Sequence, residues 1–250
     1  MQVVVDSLLT QYETLGAGKL VLLLHGWGDT AAGLRGLQTA LAKKCQVVAV
    51  DLPGFGGTEA PHGVWGLDDY ASFVAHFLQK IGAGKVHVLV GHSNGGAVAV
   101  RGLARGVLSA EKLVLLASAG IRGEYKGRVK ALRLITKAGK ALTMPLPKAV
   151  KQKLRKQVYH TVGSDMLVAE HLQETFKRVV TDDVRADAAQ LTQPTLLIYG
   201  ENDDATPVKF GELLHEAITG STLEILPGAG HFVHIDRPEA VLRAIQEFAA

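Results

Sequence analysis

Six times along this chain a short, largely apolar run ends in a glycine-rich turn, and after five of the six a segment with helical spacing follows. The runs are KLVLLLHG (19–26), QVVAVDLPG (46–54), KVHVLVGHS (85–93), KLVLLASAG (112–120), PTLLIYGEND (194–203) and STLEILPGAGH (221–231). They are continuous rather than alternating, as strands are when both faces of a parallel sheet are covered. The segments 31–42, 67–81, 94–105, 207–218 and 238–248 carry apolar residues at helical spacing. Strands alternating with helices predict an α/β fold, a mostly parallel sheet flanked by helices. The first twenty residues, with VVV and QYETLG, read as an antiparallel edge hairpin leading into it. At 250 residues the chain suits one such domain with an insertion.

The rhythm breaks once. About seventy residues separate the run ending at Gly120 from the run starting at Pro194, far more than a crossover needs. We therefore expect a core of residues 1–120 and 192–250, with a helical cap inserted at 121–191. Ligands of open α/β sheets bind beyond the carboxyl ends of the strands, so an insertion leaving at that end covers the site. Here the charge distribution matters. The chain is +3 overall, but Arg122–Lys156 holds twelve Lys/Arg and one acidic residue, a net +11, which leaves −8 elsewhere. A basic cap is by default a solvated helical face. It also suits an anionic or carrier-linked substrate drawn in by its field. Contact with a membrane surface ranks lower. Nucleic acid ranks last, because Tyr125 is the one aromatic among the basic residues.

Gly91-His92-Ser93-Asn94-Gly95 follows the run VHVLV and opens a helical segment. In that setting G-x-S-x-G is a nucleophile elbow: the turn is too tight for flanking side chains, and it lifts the serine above the sheet at a helix N-terminus. A serine nucleophile needs a base and an acid to orient it. Ten histidines compete for the first role, and position decides among them. His231, in Gly228-Ala229-Gly230-His231, follows the last run at its carboxyl end, with His234 as the rival. For the acid, Asp203 and Asp204 both follow TLLIY. Asp203 is preferred, four residues before the helix start expected at Pro207. The other strand end that could hold an acid carries Ala117, Ser118 and Ala119. Two backbone N–H groups should bind an oxyanion: that of Asn94, after the nucleophile, and that of Trp27, in the loop after the first run.

Other residues receive plainer readings. His25 and His92 brace loops, Asp29 caps the following helix, and Cys45 packs. A single cysteine permits no intrachain disulfide and no cysteine-based metal site, and no HExxH spacing appears. The glycine-rich loops lack the P-loop lysine and the dinucleotide fingerprint, so no cofactor is implied. No apolar run approaches the length of a membrane span, and MQVVVDSLLTQ does not read as a secretory signal, so a cytoplasmic setting is expected.

The ordered motifs HGWGD (25–29), DLPGFGGT (51–58), GHSNGG (91–96), GENDDATP (200–207) and GAGHFVHIDRPE (228–239) span nearly the whole chain. Together they resemble the α/β-hydrolase family, and within it small bacterial serine esterases with a helical cap. The resemblance implies Ser93, Asp203 and His231 as triad and Trp27 and Asn94 as oxyanion donors. Ser93 at the elbow sets aside the branches that use an aspartate nucleophile. Asn94 stands where relatives often carry Met, Leu, Phe or Gln. The activity expected is cleavage of a carboxylic ester through an acyl-enzyme. The alternatives are carbon–carbon bond hydrolysis or cofactor-free perhydrolysis by the same triad, or a ligand-binding regulator with little turnover.

Overall fold

A computed structural model describes residues 1–122 and 170–250. Its eight strands are β1 (Gln2–Val5), β2 (Leu8–Leu15), β3 (Leu20–Leu24), β4 (Gln46–Val50), β5 (Val86–His92), β6 (Ala110–Leu116), β7 (Thr195–Gly200) and β8 (Thr222–Leu226). They form one sheet in the order β1-β2-β4-β3-β5-β6-β7-β8. β1, β2 and β4 pair antiparallel, and every later pairing is parallel. The edge hairpin turns through Asp6 and Ser7, both at positive φ, the geometry that suits a right-twisted two-residue connection.

The apolar runs explain the layering. All residues of β3, β5 and β7 are buried, and successive side chains serve opposite faces. Leu22, Leu24, Leu89, Leu113 and Leu115 meet one core, while Val21, Leu23, Val88, Val90 and Val114 meet the other. The first core lies under α2 (Leu67–Lys80), α3 (Asn94–Ala104) and α6 (Val208–Ala217). The second lies under α1 (Arg35–Leu41), α7 (Val233–Asp236) and α8 (Pro238–Ala249). Two shorter helices precede β7: α4 (Gln173–Val179) and α5 (Arg185–Ala188).

Local chemistry shifts some boundaries. The helix expected over 31–42 is a 3₁₀ turn at Ala31–Leu34 followed by α1, in a stretch that Gly33 and Gly36 weaken as a helix. The cap expected from Asp29 is shared: its carboxylate accepts the Thr30 N–H at 2.8 Å, while Asp51 Oδ1 accepts the Ala31 N–H at 2.7 Å. Pro207 is the residue before α6 rather than its first. Cys45 packs at the margin of the second core.

Most of the expected cap, including all of the basic segment after Arg122, lies outside the described residues. Within the described part, Val184, Ala188 and Leu191 join the first core, and α5 packs against α3. Among the described residues no helix is long and apolar enough to cross a membrane.

Candidate active site

Ser93 stands between β5 and α3 with φ 51° and ψ −116°, a conformation that only glycine adopts without strain. The glycines around it are sterically required. A methyl at Gly91 would fall 2.6 Å from the Gly95 carbonyl oxygen, and one at Gly95 would fall 2.4 Å from that of Leu24. The elbow thus lies directly on β3, and α3 starts at the serine with the positive end of its dipole beside the hydroxyl.

Three strand ends converge there. His231, after β8, has Nε2 3.0 Å from Ser93 Oγ. Its Nδ1 is 2.8 Å from Oδ2 of Asp203, after β7. The rivals sit elsewhere. Asp204 is exposed. His234 is buried on α7 against His92, with ring centroids 4.8 Å apart, and neither of its ring nitrogens has a hydrogen-bond partner among the described residues. Asp203 is held from both sides: Oδ1 accepts the N–H groups of Ala205 and Thr206, each at 2.8 Å, and Oδ2 also accepts the Thr206 hydroxyl at 2.7 Å. Burial pushes the Asp203 carboxyl up. The bonds and charge of His231, with those of Thr206, more than offset this and leave it below the usual carboxylate value.

Two further histidines shape the surroundings. Buried His25 donates from Nδ1 to Gly26 O at 2.7 Å and accepts the Leu52 N–H on Nε2 at 2.8 Å, tying the loop after β3 to the loop after β4. His92 donates from Nε2 to the His231 carbonyl at 3.1 Å and so fixes the backbone of the base. Burial first, then the neighbouring His234 and His231, hold His92 well below the ordinary imidazole range, so it stays neutral. Both serve as loop braces.

The expected oxyanion donors line the same cavity. Neither the Trp27 nor the Asn94 backbone N–H is engaged in a hydrogen bond among the described residues. The Asn94 carboxamide is buried and has no partner among them either. The cavity, about 180 Å³, has Ser93 and His231 in its lining and apolar walls from Ala97, Ile121, Phe176, Val179 and Phe210. Asp182 is the one acidic residue in the lining among the described residues. α4 closes one side. The Phe176 ring lies against Trp27 with centroids 5.1 Å apart and planes inclined by 52°, and Thr175 Oγ1 accepts the Trp65 N–H at 3.1 Å. Thr206 escaped the sequence reading. Its one signal is its place three residues after an acidic candidate, which matches any helix-preceding threonine.

A serine hydroxyl against an imidazole backed by a buried carboxylate can give up its proton as it attacks a carbonyl carbon. Two unengaged N–H groups, one at the start of α3 and one in the loop after β3, can stabilise the charge that develops on the carbonyl oxygen.

This fold and this meeting of strand ends define a hydrolase class. Residues 21–244 match the alpha/beta hydrolase family, and the chain belongs to it. It is 29% identical to the pimeloyl-[acyl-carrier protein] methyl ester esterase of Neisseria meningitidis, across 93% of this chain and 94% of that one. It is 27% identical to the 2-hydroxy-6-oxo-2,4-heptadienoate hydrolase of Pseudomonas putida, across 99% and 95%. An esterase from Exiguobacterium antarcticum has the same fold, with a TM-score of 0.77 at 23% identity over 99% of this chain and 98% of that one.

Proposed function

We propose that the chain is a serine hydrolase acting on a carboxylic ester. The observation that carries this reading is the continuous hydrogen-bond chain Ser93–His231–Asp203 on the wall of a largely apolar cavity. Ser93 Oγ attacks the ester carbonyl while His231 Nε2 takes its proton. The Trp27 and Asn94 N–H groups hold the oxyanion. His231 then returns the proton to the leaving alcohol, and the acyl group stays on Ser93. Water enters, gives a proton to His231 and hydrolyses the acyl-enzyme. Asp203 keeps Nδ1 protonated and stabilises the imidazolium.

The apolar walls favour an uncharged, short to medium acyl chain. Ile121, Phe176, Val179 and Val180, from the described ends of the expected cap, line this cavity, and the net charge of +11 over Arg122–Lys156 would draw in anionic or carrier-linked esters by its field. The likeness to an esterase whose substrate is joined to an acyl carrier protein supports that part of the reading. Raising the salt concentration should then lower kcat/KM for an anionic ester more than for a neutral one.

A second reading draws on the Pseudomonas putida relative. Hydrolysis of a 2-hydroxy-6-oxo dienoate breaks a carbon–carbon bond, and the same three residues could serve it. That substrate bears a carboxylate next to the reacting chain, whereas the described walls of the cavity are largely apolar, so the ester reading ranks first.

The test combines a fluorophosphonate probe with p-nitrophenyl esters from acetate to dodecanoate, for wild type and Ser93→Ala. We expect labelling at Ser93 and turnover that depends on chain length. Both should vanish in the variant, with kcat falling about 10⁴-fold or more. Labelling without ester turnover moves weight to the carbon–carbon reading. Absence of labelling overturns both.

A further inference from the structure

We propose that Thr206 is a positioning residue of this site: its hydroxyl is a third partner of the Asp203–His231 pair and sets the proton affinity of His231. The inference deepens the hydrolase reading above and rests on it.

Thr206 is buried, and its Oγ1 lies 2.7 Å from Asp203 Oδ2, 2.9 Å from Ala117 O and 3.1 Å from His231 Nδ1. A hydroxyl has one proton to give. The carboxylate is the nearer acceptor and the charged one, so the proton goes to Asp203. Asp203 then receives four donors: the N–H groups of Ala205 and Thr206 on Oδ1, and the Thr206 hydroxyl and His231 Nδ1–H on Oδ2. Four donors match the lone-pair sites of an ionised carboxylate.

Two consequences follow. The charge of Asp203 is divided among four donors, so less of it acts on the imidazole than would without the Thr206 hydroxyl. The Thr206 oxygen lies 3.1 Å from Nδ1 against 2.8 Å for Asp203, so the Nδ1–H goes to the carboxylate and the hydroxyl chiefly limits rotation of the ring. Ala117 O, just beyond β6 on a residue itself at φ 44°, lies 2.9 Å from Oγ1 and is the competing, uncharged acceptor for that one proton. The charged and titratable groups around His231 are Asp203 with Tyr199 behind it on β7, His92 on β5, His234 and Asp236 on α7, and Asp182 across the cavity. Among the described residues only Asp203, Thr206 and Ser93 hydrogen-bond the His231 ring.

The experiment compares wild type, Thr206→Val and Thr206→Ser. It records kcat/KM for p-nitrophenyl acetate against pH and follows the His231 ring by NMR titration. Removing the hydroxyl returns charge to the face of Asp203 that meets the imidazole. Thr206→Val should therefore move the acid-limb midpoint and the His231 titration upward together. It should also lower kcat/KM about tenfold, the scale of one charge-assisted hydrogen bond. Thr206→Ser should match wild type in both. An unmoved His231 titration in a folded Thr206→Val overturns the proposal, whatever happens to the rate. So does a Thr206→Ser protein that titrates like Thr206→Val, because the methyl group would then be what matters. The NMR readout needs no turnover. A wild type that cleaves no ester, with His231 still shifting in Thr206→Val, would sink the ester reading and leave this inference standing.

Discussion

Gly95 and Gly36 look alike in the sequence and differ completely in the fold. A Cβ on Gly95 would meet the carbonyl oxygens of Leu24 and His25 at 2.4 and 2.6 Å, whereas one on Gly36 would meet nothing within 4 Å. Gly95→Ala should destabilise the protein by about 3 kcal/mol or more, since backbone would have to move. Gly36→Ala, within α1, should stabilise it by about 0.5–1 kcal/mol. Urea unfolding of both variants checks the pair, and equal effects would contradict the packing described. At this scale the sequence speaks clearly only where chemistry is compressed into a local pattern. Ser93 is legible from five consecutive residues. Asp203 and His231 are legible because each follows a recognisable strand and the sheet gathers strand ends. Thr206 is not, because the atoms that define it, on Ala117 and His231, are remote in the chain.

Between elements, one polar tie among the described residues is long-range and centred on a buried carboxylate. Arg101 on α3 donates through Nε to Asp187 on α5 at 2.7 Å and through Nη1 to Asp68 on α2 at 2.6 Å. Asp187 is 3% exposed, so deleting the arginine strands a buried carboxylate with only the longer 3.5 Å contact to Arg105. We expect Arg101→Met to lose about 3 kcal/mol, and Arg101→Met with Asp187→Leu to recover most of it. A double variant no more stable than the single would show that the helices, not the charges, carry the contact. Strands and helices were readable because periodicity is local. This pairing, 86 residues apart, left no trace in composition or spacing. The division of the 31–42 segment escaped too, because two glycines lower helix propensity without saying where the break falls.

For the molecule as a whole, buried neutral imidazoles set the response to acid. Burial lowers His25, His92 and His234 below the ordinary histidine value. A group lowered on folding contributes stability above its unfolded pKa and withdraws it as pH falls toward the folded one. Thermal stability should therefore decline from about pH 6.5 downward, the unperturbed histidine range. That is well before Asp203, also lowered, adds its own loss near about pH 4. His92→Gln should flatten the upper part of that decline in melts taken from pH 8 to pH 5, and an unchanged slope would remove His92 from the account. Ser93 adds a debt of another kind. Its backbone is held where an L-residue is strained by about 1–3 kcal/mol, more than the roughly 0.5–1 kcal/mol of extra chain entropy that a glycine would lose there. The residue proposed as the nucleophile is thus one the fold would be safer without. A Ser93→Gly protein should be inert toward esters and melt higher than its parent, so durability and the proposed chemistry pull this one position in opposite directions.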